Sequence, residues 1–245
     1  MRTPTNLRVR LSTVLLAVSV VIGTALLLWG ADTLARWTAE RFVARQVQAS
    51  TGVLQSPSVE VHGTFFLPQL FGGRYERVEI SAEDLRSGPL RLEEVSADLT
   101  GVHVPFSDLV GQNPVPIYIE TSRERATLTF DDLNRYLDVT GRPIAVRSGS
   151  GDELVLSGTA EVLGQEVSAS SRVVVGVQGG DLTVRPTELE TGTALDGASR
   201  LLLRQRFTFR VPLDPLPFGQ QIVDVVPGET ALEIEARGAG VVVQP

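Results

Sequence analysis

Side chains able to do chemistry are few in this chain, and they are scattered. Its 245 residues include no cysteine and only two histidines, so disulfides, thiolate nucleophiles and thiolate metal sites are excluded. His62 and His103 fit no metal-ligand spacing such as H-E-x-x-H, and a histidine beside a strand turn is ordinarily hydrogen-bonded scaffold. Asp131 and Asp132 head a short helical pattern, where adjacent carboxylates cap amides rather than form an acid/base pair. Gly149-Ser150-Gly151 is a flexible loop, not a G-x-S-x-G elbow. No phosphate-cradling glycine loop precedes a helix. The remaining carboxylates lie far apart in sequence, so a hydrolase or transferase would need a cleft that converges at least two of them. No catalytic residue, metal or cofactor is expected.

What does stand out is apolar. Gly63 to Tyr75 (GTFFLPQLFGGRY) packs Phe65, Phe66, Leu67, Leu70 and Phe71 into seven positions, too dense a cluster for a solvated loop. A second cluster, Pro215 to Gly219 (PLPFG), carries Leu216 and Phe218 in a proline-stiffened turn. Two readings fit both clusters: ordinary core beneath a turn, or the mouth of a pocket for hydrocarbon, since acyl-chain sites are lined by core-like side chains. Arg74 and Arg77 flank the first cluster. They are candidates for contact with a phosphate headgroup, with solvated strand-edge charges as the plain alternative. All 22 basic residues are arginine; genomic composition accounts for such a bias, and so does a preference for the guanidinium fork that grips phosphate.

The elements that must position these clusters begin with a basic tail, residues 1–10, holding Arg2, Arg8 and Arg10 and no acid. Residues 11–30 (LSTVLLAVSVVIGTALLLWG) carry no charge and as a helix would span about 30 Å, the thickness of a bilayer core. Basic residues before this segment and Asp32 after it orient the N-terminus toward the cytoplasm and the remainder outward. A cleaved signal peptide, with a site near Thr33-Leu34-Ala35, is the competing reading and exports the same domain. Trp29 and Trp37 suit the outer interface, and Trp37 equally suits packing on the domain. Beyond the tail, 19 arginines face 29 acidic residues, a net charge of −10. Such a domain does not coat nucleic acid or anionic membranes by bulk electrostatics.

Residues 31–49 predict an amphipathic helix, with Ala35, Ala39, Phe42, Val43 and Val47 at three- and four-residue steps. From 50 to 245 the period drops to two. Val59 and Val61, then Val78 to Ala82, then Leu90 and Leu92 open the series of strands. Val95, Ala97 and Leu99 sit on the opposite parity from Leu90 and Leu92, which predicts a bulge near Glu93-Glu94. Further strands follow at Ala126 to Phe130, Leu154-Leu156, Val167 to Val177, Leu182-Val184, Phe207 to Leu213, Leu232 to Ala236 and Val241 to Val243. A short helix covers Asp131 to Leu137, and Gly179-Gly180-Asp181 predicts a hairpin turn. About ten strands with one long helix and no repeat or linker imply a single mainly-β domain, built as a curved sheet or barrel behind one transmembrane helix.

The clusters, the leading helix and the Phe130-Asp131-Asp132-Leu133-Asn134 turn together resemble the LmeA-like family of actinobacterial phospholipid-binding envelope proteins, over residues 32–243. The family stretch G-x-x-F-L-x-Q-L-x-x-G-x-Y falls on Gly63, Phe66, Leu67, Gln69, Leu70, Gly73 and Tyr75, and its L-P-F-G stretch on Leu216 to Gly219. The resemblance implies a tubular, TULIP-like domain with an apolar channel at the outer face of the membrane. It also implies binding of phosphatidylinositol-type phospholipid and support of lipomannan synthesis beside an envelope mannosyltransferase. A long retained anchor departs from that pattern and argues against shuttling across the envelope. The alternative is a non-enzymatic, membrane-tethered scaffold whose apolar clusters are ordinary core.

Overall fold

The computed structural model describes residues 5–51, 55–87, 90–105, 116–149, 153–162, 165–192, 194–213 and 220–243. It opens with α1 (Thr5–Thr51), 47 residues of uninterrupted helix. The two helices expected at 11–30 and 31–49 are therefore one rod. No proline follows Pro4 within it, and nothing forces a break where the apolar stretch gives way to the amphipathic one. Ser19, Thr24 and Thr33 donate to the carbonyls four residues back, each at 2.9 Å. Those hydroxyls need no water, as a bilayer requires. The large apolar side chains from Val14 to Trp29 all point outward, and this helix is long and apolar enough to cross a membrane.

The chain then builds two antiparallel sheets. β1 (Ser58–His62), α2 (Phe66–Gly72), β2 (Arg74–Ser87), β3 (Leu90–His103) and β4 (Ile117–Thr129) lead to α3 (Phe130–Val139). β5 (Ile144–Ser148), β6 (Leu154–Val162), β7 (Gln165–Gln178), β8 (Asp181–Thr191), α4 (Gly197–Phe207) and β9 (Phe209–Val211) follow, closed by β10 (Gln221–Pro227) and β11 (Ala231–Val243). One sheet has the order β1-β2-β3-β4-β11-β10 and the other β5-β6-β7-β8-β9. The larger sheet curls into a half-barrel, so the fold is mainly β with one long N-terminal helix, consistent with a tubular lipid-binding domain. The β7–β8 hairpin turns at Gly179 and Gly180, with φ of 65° and 90°, angles that glycine adopts without strain.

Phe130 starts α3 instead of ending a strand, because Thr129 caps the helix: its hydroxyl accepts from the Asp132 amide at 3.1 Å and donates to the Asp132 carboxylate at 2.8 Å. Asp132 is buried and also meets Arg91 and Arg135, as expected for a cap. Asn134 on the same helix both accepts from the Val146 amide and donates to its carbonyl, covering the open edge of β5.

Leu90 and Leu92 are buried on one parity, Ala97 and Leu99 on the other, but the bulge expected near Glu93-Glu94 is absent, since the β2–β3 pairing keeps one register on both sides of it. The distorted backbone lies across the ladder, where Asp84 (φ 56°) falls between the pairs Glu83–Glu94 and Leu85–Leu92. A second switch crosses the sheet at Gly101, Glu120 and Gly240; both glycines have φ of 63°. Two cores result. The upper one gathers Leu90, Leu92, Leu128 and Leu232 with α3, α4 and the five-stranded sheet. The lower one gathers Val61, Phe66, Tyr75, Leu99, Val102 and Ile119 against α1.

Candidate functional site

The first apolar cluster folds as the short helix α2, locked to α1 where the apolar stretch ends. Asp32, two residues past Gly30, is buried and accepts from the Phe66 amide at 3.0 Å and the Leu67 amide at 2.7 Å. It thereby satisfies two of the amides that a helix start leaves open. One turn on, Arg36 donates to the Gly63 carbonyl at 2.9 Å. A further turn on, Glu40 accepts from the Val61 amide at 2.9 Å. These contacts at 32, 36 and 40 meet residues 66, 63 and 61 in reverse order. The chain therefore descends β1 antiparallel to α1 and reaches α2 beside the end of the apolar stretch, and α1 covers the free edge of β1.

Within α2 the buried side chains are the ones that hold it in place. Phe66, 1% exposed, packs on the buried Tyr75 with ring centroids 6.2 Å apart. Gln69 donates to the Phe65 and His62 carbonyls and accepts from the Glu76 amide at 2.9 Å. Gly63 makes room for it, since a Cβ there would lie 2.2 Å from Gln69 Nε2. Gly73 closes the helix in the left-handed region, against the Val104 carbonyl. Pro68 falls in the first turn, where its missing N–H costs nothing.

Leu67 and Leu70 are half-buried. Phe65 and Phe71 point outward, at 53% and 69% exposure. Arg74 pairs with Glu120 at 2.9 Å, and Arg77 grips Asp98 through two nitrogens at 2.8 and 2.6 Å. A phosphate reaching either arginine has a carboxylate to displace. Leu216 and Phe218 lie outside the described residues.

Between α1 and β1, above α2, runs an open groove of about 640 Å³, within the range of small-molecule sites. Trp37, Ala44, Pro57 and Val59 give it apolar walls; Glu40, Arg41 and Arg45 give it charge. The Arg41 guanidinium lies 3.8 Å from the centroid of the Trp37 ring, a cation–π contact that orients it. Sequence reasoning missed this groove, because Arg41 and Arg45 look like the solvent face of a helix until β1 returns alongside. A second cleft, of ≈ 750 Å³, separates β10 from the β7–β8 hairpin and is lined by Val175, Val177, Gln220 and Ile222.

Gln220 reaches from that cleft into the sheet and donates to Glu124 at 2.8 Å. Glu124 is 2% exposed, and burial pushes its pKa up to about 8 against the opposing hydrogen bond from Gln220. Glu124 Oε2, Gln220 Oε1 and Ser122 Oγ are buried with no hydrogen-bond partner. No group of three or more histidine, aspartate or glutamate side chains among the described residues is placed to hold a metal.

A family model described as LmeA-like phospholipid-binding matches residues 30–237. No curated protein and no solved structure matches the chain.

Proposed function

The chain belongs to the LmeA-like phospholipid-binding family, and on that premise we propose that it holds a phospholipid at the outer face of a membrane in which α1 is a retained, single-pass anchor. The observation that carries this reading is the amphiphilic groove beside the anchor. Its apolar wall suits hydrocarbon, at about 0.8 kcal/mol per buried methylene. Arg41 and Arg45 stand over it as forks for a phosphate. Phe66, Leu67 and Leu70 of α2, below the groove, are assigned to the same lipid with Leu216 and Phe218 on the family resemblance. Arg74 and Arg77 are held by acids, so the headgroup role passes to Arg41 and Arg45. The ligand is phosphatidylinositol-type, the role non-enzymatic support of lipomannan synthesis with an envelope mannosyltransferase, and the domain lies outside the cytoplasmic membrane.

The test is to purify the full chain in mild detergent, extract it, and quantify bound phospholipid by mass spectrometry before and after exposure to vesicles containing phosphatidylinositol. Bound phospholipid is expected, several-fold reduced in the Arg41→Ala/Arg45→Ala variant. A lipid-free protein that ignores the vesicles would refute the proposal. The burial of the apolar side chains in two contiguous cores favours the second reading, a tethered scaffold, and that is the outcome such a lipid-free protein would support.

A further inference from the structure

We infer that α2 is a membrane foot: Phe65 and Phe71 rest in the outer interface of the bilayer beside the anchor and set the groove on the lipid surface. The inference deepens the proposed function and rests on its reading of α1 as a retained anchor. Three observations carry it.

The first is height. Asp32 follows the apolar stretch by two residues, about 3 Å of helix rise, and it is the residue that binds the start of α2. An independent route gives the same level. Glu40 stands about 15 Å above Gly30 along α1 and holds Val61; Val61 pairs with Val78; and Arg74, at the foot of β2, lies four residues and about 13 Å back down. Both paths return α2 to the end of the hydrocarbon span.

The second is the division of labour inside α2. Phe66 and Gln69 are buried and Gly63 and Gly73 shape the backbone. Phe65 and Phe71 stay 53% and 69% exposed, one at each end of α2, and Trp29 at the end of the span is likewise exposed, at 64%. Phe, with Trp and Leu, is among the apolar side chains that interfacial helices bury at the headgroup boundary.

The third is charge. The region outside the span carries a net charge of −10, so bulk attraction to anionic headgroups does not seat it. Apolar insertion does.

The absence of cysteine allows a direct test on the full chain. Gly72→Cys places one label on α2, where a side chain meets no neighbouring atom. Val139→Cys places a control at the end of α3, where Val139 is 68% exposed, at the opposite end of the sheet. Each labelled protein is reconstituted into phosphatidylcholine/phosphatidylglycerol vesicles containing lipids with a shallow nitroxide quencher. Quenching at position 72 is expected to exceed that at 139 several-fold, and to fall toward the control in a Phe65→Ser/Phe71→Ser background. Equal quenching at 72 and 139 overturns the inference, whether or not the double variant folds. So does a label at 72 that is shielded from aqueous iodide yet untouched by the lipid quencher, the signature of a protein partner. Bound phospholipid measured on the same variants purified in detergent separates the two proposals: lipid bound without seating removes the foot alone, and seating without bound lipid removes the ligand alone.

Discussion

At the scale of single residues, burial divides the first apolar cluster into two kinds of side chain. Phe66→Ala removes a ring that is 1% exposed and should cost about 3–5 kcal/mol, whereas Phe65→Ser, on a ring 53% exposed, should stay within about 0.5 kcal/mol. Urea melts of the two variants check the contrast. Asp32→Ala leaves two amides of α2 without an acceptor and should cost about 1–3 kcal/mol; hydrogen exchange at the Phe66 and Leu67 amides should accelerate before that of the strands.

Glu124 gives a pH signature. Its folded pKa, about 8, lies above the ordinary carboxylate value, so between roughly pH 4.5 and 8 the folded protein holds a proton that the unfolded chain releases. Stability is then fully supported below that window and declines as pH rises through it. Glu124→Gln keeps a neutral side chain and should flatten the decline, gaining on the order of 3 kcal/mol at pH 7 by the linkage slope. Thermal melts across pH 5–9 read the difference; equal slopes in the two proteins would refute it.

At the scale of elements, the resemblance motif proves to be a building instruction for α2. Gly63, Phe66, Gln69, Gly73 and Tyr75 are its spacer, anchor, hub, cap and seat, and the unspecified positions between them carry the exposed Phe65, Phe71 and Arg74. Replacing Gly63 with alanine should drive a Cβ into Gln69 and detach α2 from β1, which limited proteolysis at Phe65–Phe71 would reveal as earlier cleavage. Most strands were legible from period two, and so were the turn at Gly179-Gly180 and the parity change in β3, because one face of each strand is buried. Two helices were not. α2 is only seven residues long and depends on a cap from a residue 34 positions earlier, and α4 breaks helical periodicity by leaving Leu201 and Leu202 exposed beside the buried Leu203. The groove was illegible for the same reason: it exists only where β1 lies along α1.

For the whole molecule, arginines before the apolar stretch and an acidic domain after it predict one orientation. A phosphatase reporter that works only outside the cytoplasm, fused after Val243, should be active, and the same reporter fused at Arg10 should be silent. Activity at Arg10 alone would reverse the topology.

Because α1 runs unbroken from the span into the domain and is pinned at three successive turns to β1, to Gly63 and to α2, the domain has no swivel. It is bolted to its mast, and its bearing on the lipid surface is a matter of helical arithmetic. One alanine inserted after Gly30 would raise the groove above the bilayer by about 1.5 Å and four by about 6 Å. A protein that works by resting on its lipid should tolerate the first insertion better than the second.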